Sequence, residues 1–240
     1  MEPIARESLD ELKRIFSWVR DRESSLANPI TILVGGWAVH SYNDYWGSID
    51  IDLITNNRTK KSLKKFLLDH HNYHTDPETT NSVYKETIHG RVIIDIANRG
   101  YDSFEGCRDS LHLNVVDGQT EIRDLEGQKV PVPNRSVLLM MKFKAAWDRN
   151  WRVCHERSDD PCWDQSKMIK DHSDILSLID PRKGGEQIDV NLLGEYFSSH
   201  PFLEKVIDDI SCSGAAFEKY GIDPSEAIRL IERFRSLVLL

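Results

Sequence analysis

The chain has 240 residues, enough for one large domain or two modest ones with a properly buried core. Hydrophobic residues make up 40% and charged residues 29%, and no apolar run nears the roughly 18–20 residues of a membrane span, so a globular, non-membrane protein is expected. A formal net charge of −8 argues against a protein that coats nucleic acid, while leaving room for a local basic groove. The segment Met1–Glu7 has neither the basic nor the apolar region of a secretory signal. Cys107, Cys154, Cys162 and Cys212 are irregularly spaced, so no disulfide framework is expected and a reducing cytoplasm fits best.

Taken in chain order, Leu9, Leu12, Ile15, Phe16 and Val19 recur at helical spacing and predict a helix over Glu7–Arg20, broken at Asn28-Pro29. Ile30–Val34 is a short buried-type strand ending in Gly35-Gly36, and Trp37–Tyr42 starts a helix off that turn. Ile49–Ile54 is the second strand. Thr59–Asp69 is a helix with Lys60, Lys61, Lys64 and Lys65 on its wet side. Ser82–Ile88 and Arg91–Ala97 are strands joined by a tight His89-Gly90 turn. Residues 100–134 are mainly loop, with short strands at Leu111–Val116 and Thr120–Leu125. Val130-Pro131-Val132-Pro133 is an extended connector, and the domain boundary is placed there. Beyond Asn134 everything is helical: Ser136–Arg149, Gln165–Leu178, Val190–Phe197, Phe202–Ile210 and Pro224–Leu237, the last capped by Asp223. Asp180–Gly185 is a turn.

The chemistry concentrates near the N-terminus. Gly35-Gly36 is followed twelve residues later by Ser48-Ile49-Asp50-Ile51-Asp52. Two carboxylates two residues apart on a strand face the same way. Crowding carboxylates in water-poor surroundings is costly unless a cation compensates, so a metal is expected rather than a bare acid cluster. Mg²⁺ accepts carboxylate oxygens and keeps substrate phosphates and waters. Asp95, in Val92-Ile93-Ile94-Asp95-Ile96, supplies a third carboxylate as metal ligand or general base. Gly35 and Gly36 open backbone N–H groups to phosphates near a helix N-terminus, and Ser48 offers a hydroxyl to them.

Val34-Gly35-Gly36-Trp37-Ala38-Val39 followed by Gly47-Ser48-Ile49-Asp50-Ile51-Asp52-Leu53 resembles the DNA polymerase β-like nucleotidyltransferase superfamily. Within it the chain looks closest to AbiEii-type (MenT-like) toxins and the aminoglycoside nucleotidyltransferases. Lys142-Phe143-Lys144-Ala145-Ala146-Trp147-Asp148-Arg149 and Lys170-Asp171-His172-Ser173-Asp174-Ile175 resemble two helix motifs of the toxin-like group. The resemblance implies a magnesium-dependent enzyme that transfers a nucleoside monophosphate from an NTP to a hydroxyl, with Asp50, Asp52 and Asp95 on the metal. It implies that Lys142 contacts the triphosphate and that Asp171 or Asp174 completes or braces the site. The acceptor it implies is a small molecule such as an aminoglycoside, a tRNA end or a protein side chain; an antitoxin protein is the implied partner of a toxin. Where many relatives carry arginine four residues before the first Asp, this chain has Trp46. Ser48 stands where many have Thr, and Asn150–Met168 is long.

The expected architecture is mixed α/β: a mixed sheet with flanking helices over residues 1–133, a helical domain over 134–240, and an active cleft between them. The alternative function is a nucleotide- or partner-binding module of the same fold without turnover. Cys154, His155 and Cys162 make at most a partial zinc set, and an ordinary insertion explains them better. His70, His71 and His74 fit a solvated helix end. Trp147 and Trp151 fit packing rather than base stacking.

Overall fold

The computed structural model describes every residue except 24, 26, 27, 78, 101, 102, 105–110 and 240, and at Ser103 and Phe104 it describes the backbone alone. The chain divides into two compact units, Met1–Asp102 with His112–Asn134, and Ser103–Leu111 with Arg135–Leu240.

The first unit opens with α1 (Pro3–Arg20), four residues longer at its start than the periodicity predicts because Pro3 sits comfortably in a first helical turn. Leu9, Leu12, Ile15 and Phe16 form its buried stripe. Then come β1 (Ile32–Val34), α2 (Gly35–Tyr42), β2 (Ile51–Thr55), α3 (Asn57–His70), β3 (His74–Thr75), β4 (Ser82–Thr87) and β5 (Gly90–Asn98). Five strands make one mixed sheet in the order β1-β2-β5-β4-β3. Only β2 and β5 run parallel; the other neighbours are antiparallel. Burial alternates along β5: Val92, Ile94 and Ile96 are buried, while Ile93 and Asp95 on the other face are half-exposed. Glu11 of α1 is buried and accepts from Arg14 at 2.7 Å and from Lys85 of β4 at 2.8 Å, which ties α1 to the sheet.

The chain continues through β6 (Ser103–Phe104), paired with β7 (Leu111–His112), a 3₁₀ turn at Leu113–Val116, and the hairpin of β8 (Thr120–Leu125) and β9 (Gln128–Pro133). Two expectations are corrected here. Leu111–Val116 is strand for two residues only. The proline-bearing segment 130–133 is strand rather than connector, opposite β8 from Thr120↔Pro133 to Leu125↔Gln128. Pro131 and Pro133 fall at alternate positions, so their missing donors face the same way and the ladder runs through the residues between them.

The second unit is built on α4 (Arg135–Cys154) and α5 (Pro161–Ile179), followed by α6 (Val190–Ser199), α7 (Glu204–Ser211), α8 (Gly214–Tyr220) and α9 (Pro224–Val238). Asp160 and Asp223 each cap a helix whose first residue is proline. Phe143 is fully buried, stacked on Phe234 at 5.6 Å and edge-on to Phe197 at 5.0 Å. The seven-residue helix α8 and the two-residue strand β3 escape prediction because neither is long enough to show a period. Among the described residues no helix is long and apolar enough to cross a membrane.

Candidate functional site

The sheet register assembles the first half of the predicted set. Asp52 of β2 lies opposite Asp95 of β5, Val34 opposite Asp52 on the other side, and Ser82 opposite Asp95. Residues paired across strands share a face, so Val34, Asp52, Asp95 and Ser82 form one row on one face of the sheet. Ile51, Leu53, Ile94 and Ile96, the neighbours of the two acids along their strands, are buried on the opposite face. The Ser82 hydroxyl donates to Asp95 Oδ1 through a short hydrogen bond.

Ser82 was not singled out by the sequence. The predicted His89-Gly90 turn would put Tyr84 opposite Asp95. The observed two-residue turn is Ile88-His89, with Thr87 paired to Gly90, and this moves Ser82 into the row. Gly90 takes φ 133, which explains its place at the end of a tight turn. That turn was the signal that could have found Ser82, read one residue too late.

Gly35 closes the corner. It begins α2 with φ 66, and a Cβ built on it would lie 1.8 Å from Asp52 Oδ2. The Asp52 carboxylate therefore rests directly on the glycine backbone, where no side chain fits. The helix starts at Gly35 itself, two residues earlier than predicted, and Gly36 is buried in its first turn. Val34 caps the helix without a side-chain hydrogen bond, so the first-turn N–H groups have no capping side chain.

Asp50 and Ser48 lie just upstream. The second strand begins at Ile51 rather than Ile49, so Asp50 sits in the bend that leads into β2, half-exposed, and Ser48 is buried before it. The lead-in loop is tied to α2, where His40 Nδ1 meets the Trp46 carbonyl at 2.8 Å. Among the described residues no group of three or more His, Cys, Asp or Glu could hold a metal ion. The facing donors are Asp52 and Asp95. Mg²⁺ is commonly held by one or two protein carboxylates and completed by waters and substrate phosphates, and this pair fits that demand.

The helical motifs form a second cluster. Lys142 on α4 is buried and donates to Asp171 Oδ1 at 2.9 Å, with Asp174 Oδ2 at 2.7 Å. Arg149 pairs with Asp171 Oδ2, and Lys170 reaches Asp174 Oδ2 at 3.0 Å. Both aspartates, i and i+3 on α5, hold Lys142, so the choice between them falls to neither. Burial pushes the Lys142 ammonium down, but the Asp171 and Asp174 carboxylates outweigh it and hold it above the usual lysine range. Burial likewise raises Asp171, and Arg149 and Lys142 more than reverse it. His172 beside them is buried and pushed down to about 4 by that burial, which outweighs the opposing Asp171 and Asp209 carboxylates, and its Nδ1 is unpartnered.

The remaining candidates behave as framework. Cys154, Cys162 and Cys212 are exposed thiols; Cys107 lies outside the described residues. His70 and His71 end α3 and pack against Phe66. Lys60 donates to Asn81 Oδ1 at 2.6 Å and Lys64 to the Thr80 carbonyl at 2.7 Å. Trp147 is buried against Phe202 at 4.4 Å and stacks with Trp151 at 6.4 Å.

No family model matches the chain, and no curated protein matches it. Among solved structures, the chain is similar to an antigenic nucleotidyltransferase-like protein from Paracoccidioides brasiliensis. The two share 17% identity over 92% of this chain and 93% of that one, with a TM-score of 0.49.

Proposed function

We propose that this chain is a metal-dependent nucleotidyltransferase that moves a nucleoside monophosphate from an NTP to a hydroxyl acceptor and releases pyrophosphate. The observation that carries the reading is the Asp52–Asp95 pair on adjacent parallel strands, with the Asp52 carboxylate seated on Gly35 at the start of α2. Two like charges side by side are unfavourable alone and suit a shared divalent cation.

Mg²⁺, when bound, neutralises triphosphate charge and orients the reacting oxygens. The protein's own part is chiefly positioning. Asp52 and Asp95 would hold the cation; Asp50 precedes them in the bend that leads into β2. Gly35 keeps the corner free of side chain, and the first-turn N–H groups of α2 offer donors to phosphate oxygens. The acceptor oxygen bonds to the α-phosphorus. The bond from that phosphorus to the α,β-bridging oxygen breaks, and pyrophosphate leaves with the electron pair. The hydroxyl proton passes to a base, for which Asp95, oriented by Ser82, is the candidate. The chain's net charge of −8 favours a cationic small-molecule acceptor over tRNA.

The test incubates the protein with each labelled NTP, Mg²⁺ and pools of aminoglycosides, tRNA and protein. The expected result is label transfer with pyrophosphate release by the wild type and none by a folded Asp52→Ala variant. NTP binding without pyrophosphate release in any pool would favour a nucleotide-holding module instead.

A further inference from the structure

A cleft of about 500 Å³ opens at the carboxyl ends of β2 and β5, the parallel pair of the five-stranded sheet. The two strands end level, with Thr55 opposite Asn98, and then part: β2 passes into α3 at Asn57, and β5 runs on through Arg99. Crevices where adjacent parallel strands send the chain into different elements are where α/β sheets commonly bind ligands. Asn56 and Asn57 line this one from the end of β2, Asn98 and Arg99 from the end of β5, and Asn114 and Asp117 from the 3₁₀ turn. The Asp52–Asp95 pair lies three residues back on both strands, about 10 Å along them.

Arg99 ties the wall together. Its backbone N–H donates to the Thr55 carbonyl at 2.8 Å, one guanidinium nitrogen to Asp117 Oδ1 at 2.8 Å, and another to the Pro29 and Ile30 carbonyls at 3.0 and 2.9 Å. One residue thus holds β2, the 3₁₀ turn and the lead-in to β1 around the opening. The Arg99–Asp117 pair also balances the charged groups of the lining, so neither a phosphate nor an amine meets a net charge there. What remains is carboxamide. Asn57 and Asn114 are exposed, and among the described residues their side chains make no hydrogen bond; Asn56 Oδ1 accepts from Thr59 N–H at 2.8 Å, with no printed use of its Nδ2. A carboxamide both donates and accepts, as a hydroxyl does. No lining side chain is apolar or aromatic, so a base or a hydrocarbon finds no face to pack on. We propose that this cleft binds an uncharged polyhydroxylated molecule, a sugar or polyol, through the Asn57 and Asn114 carboxamides. The site is separate from the acid pair and does not depend on the nucleotidyltransferase reading.

The test records saturation-transfer NMR from the full chain to glucose, mannose, galactose, ribose, trehalose and myo-inositol, with inorganic phosphate, spermidine and adenosine as charged and aromatic controls in parallel titrations. Wild type, Asn57→Leu, Asn114→Leu and Asp52→Asn are compared. Both asparagines are exposed, so their variants are expected to fold, which circular dichroism checks. At least one sugar or polyol is expected to bind the wild type, and each asparagine variant to weaken it about fivefold, the loss of one hydrogen bond. Asp52→Asn is expected to bind it as the wild type does, whether or not nucleotidyl transfer is found. The inference is overturned if no sugar or polyol binds, or if binding is unchanged in both folded asparagine variants. It is also overturned if those variants weaken phosphate, spermidine or adenosine instead, or if Asp52→Asn abolishes sugar binding, which would move the ligand to the acid pair.

Discussion

The two acid clusters follow opposite electrostatic rules. In the sheet, strand register sets carboxylate beside carboxylate, Asp52 against Asp95. In the helices, Asp171 and Asp174 each lie against cations contributed by the chain itself: Lys142, Arg149 and Lys170. On the proposed function, the first arrangement would take a divalent cation from outside. The second is compensated from within and holds α4 to α5. On that reading, the sheet pair is the one placed to take a ligand, while the helical cluster is charge-balanced by the chain's own side chains.

Substitutions should therefore act oppositely in the two places. The largest effect is expected in the sheet: Asp52→Asn should lower nucleotidyl transfer by more than the roughly 10–100-fold typical of an outer-shell partner, while removal of one of two like charges leaves the melting temperature unchanged or raised. Next comes the helical network. Lys142→Met leaves two buried carboxylates short of a cation and should cost about 3–5 kcal/mol in denaturant unfolding. A Lys142→Met variant with wild-type stability would erase the contrast.

A pH titration sharpens the same contrast. His172 is held neutral, its pKa pushed from 6.5 down to about 4 by burial. Between those values the unfolded chain binds a proton that the folded chain refuses, so stability rises with pH. The His172 contribution is complete above pH 6.5 and is lost as pH falls toward 4, on the order of 3 kcal/mol in total. Unfolding free energies measured across that window should fall less steeply in His172→Gln. The smallest effect is expected at Ser82→Ala, which leaves the row intact but frees Asp95 Oδ1 of its donor. Transfer should slow about tenfold, and the pH–rate profile should shift if Asp95 is the base.

Much of this was legible in residue order. The alternation in Val92–Ile96, the helical spacing of α1 and the glycine-then-acid spacing mark the sheet and its corner because each rests on a local rule. The pairing of Lys142 with both Asp171 and Asp174 was not legible. It depends on how α4 and α5 pack, which no period within one helix reveals. Asp50 was expected on the strand and lies in the bend before it, because the strand pairing begins only at Ile51. Ser82 was missed by a one-residue error in a turn, enough to change which residue opposes an acid. The prolines of β9 read as a connector because their chemistry forbids helix but permits a strand in which they alternate.

The most direct test of the central claim is the shift in melting temperature produced by Mn²⁺ with an α,β-methylene NTP, compared between the wild type and Asp52→Asn. Metal and nucleotide together should stabilise the wild type, neither alone should match them, and the variant should show no joint effect. An equal shift in the variant would place the metal–nucleotide complex somewhere other than the Asp52–Asp95 pair and contradict the account.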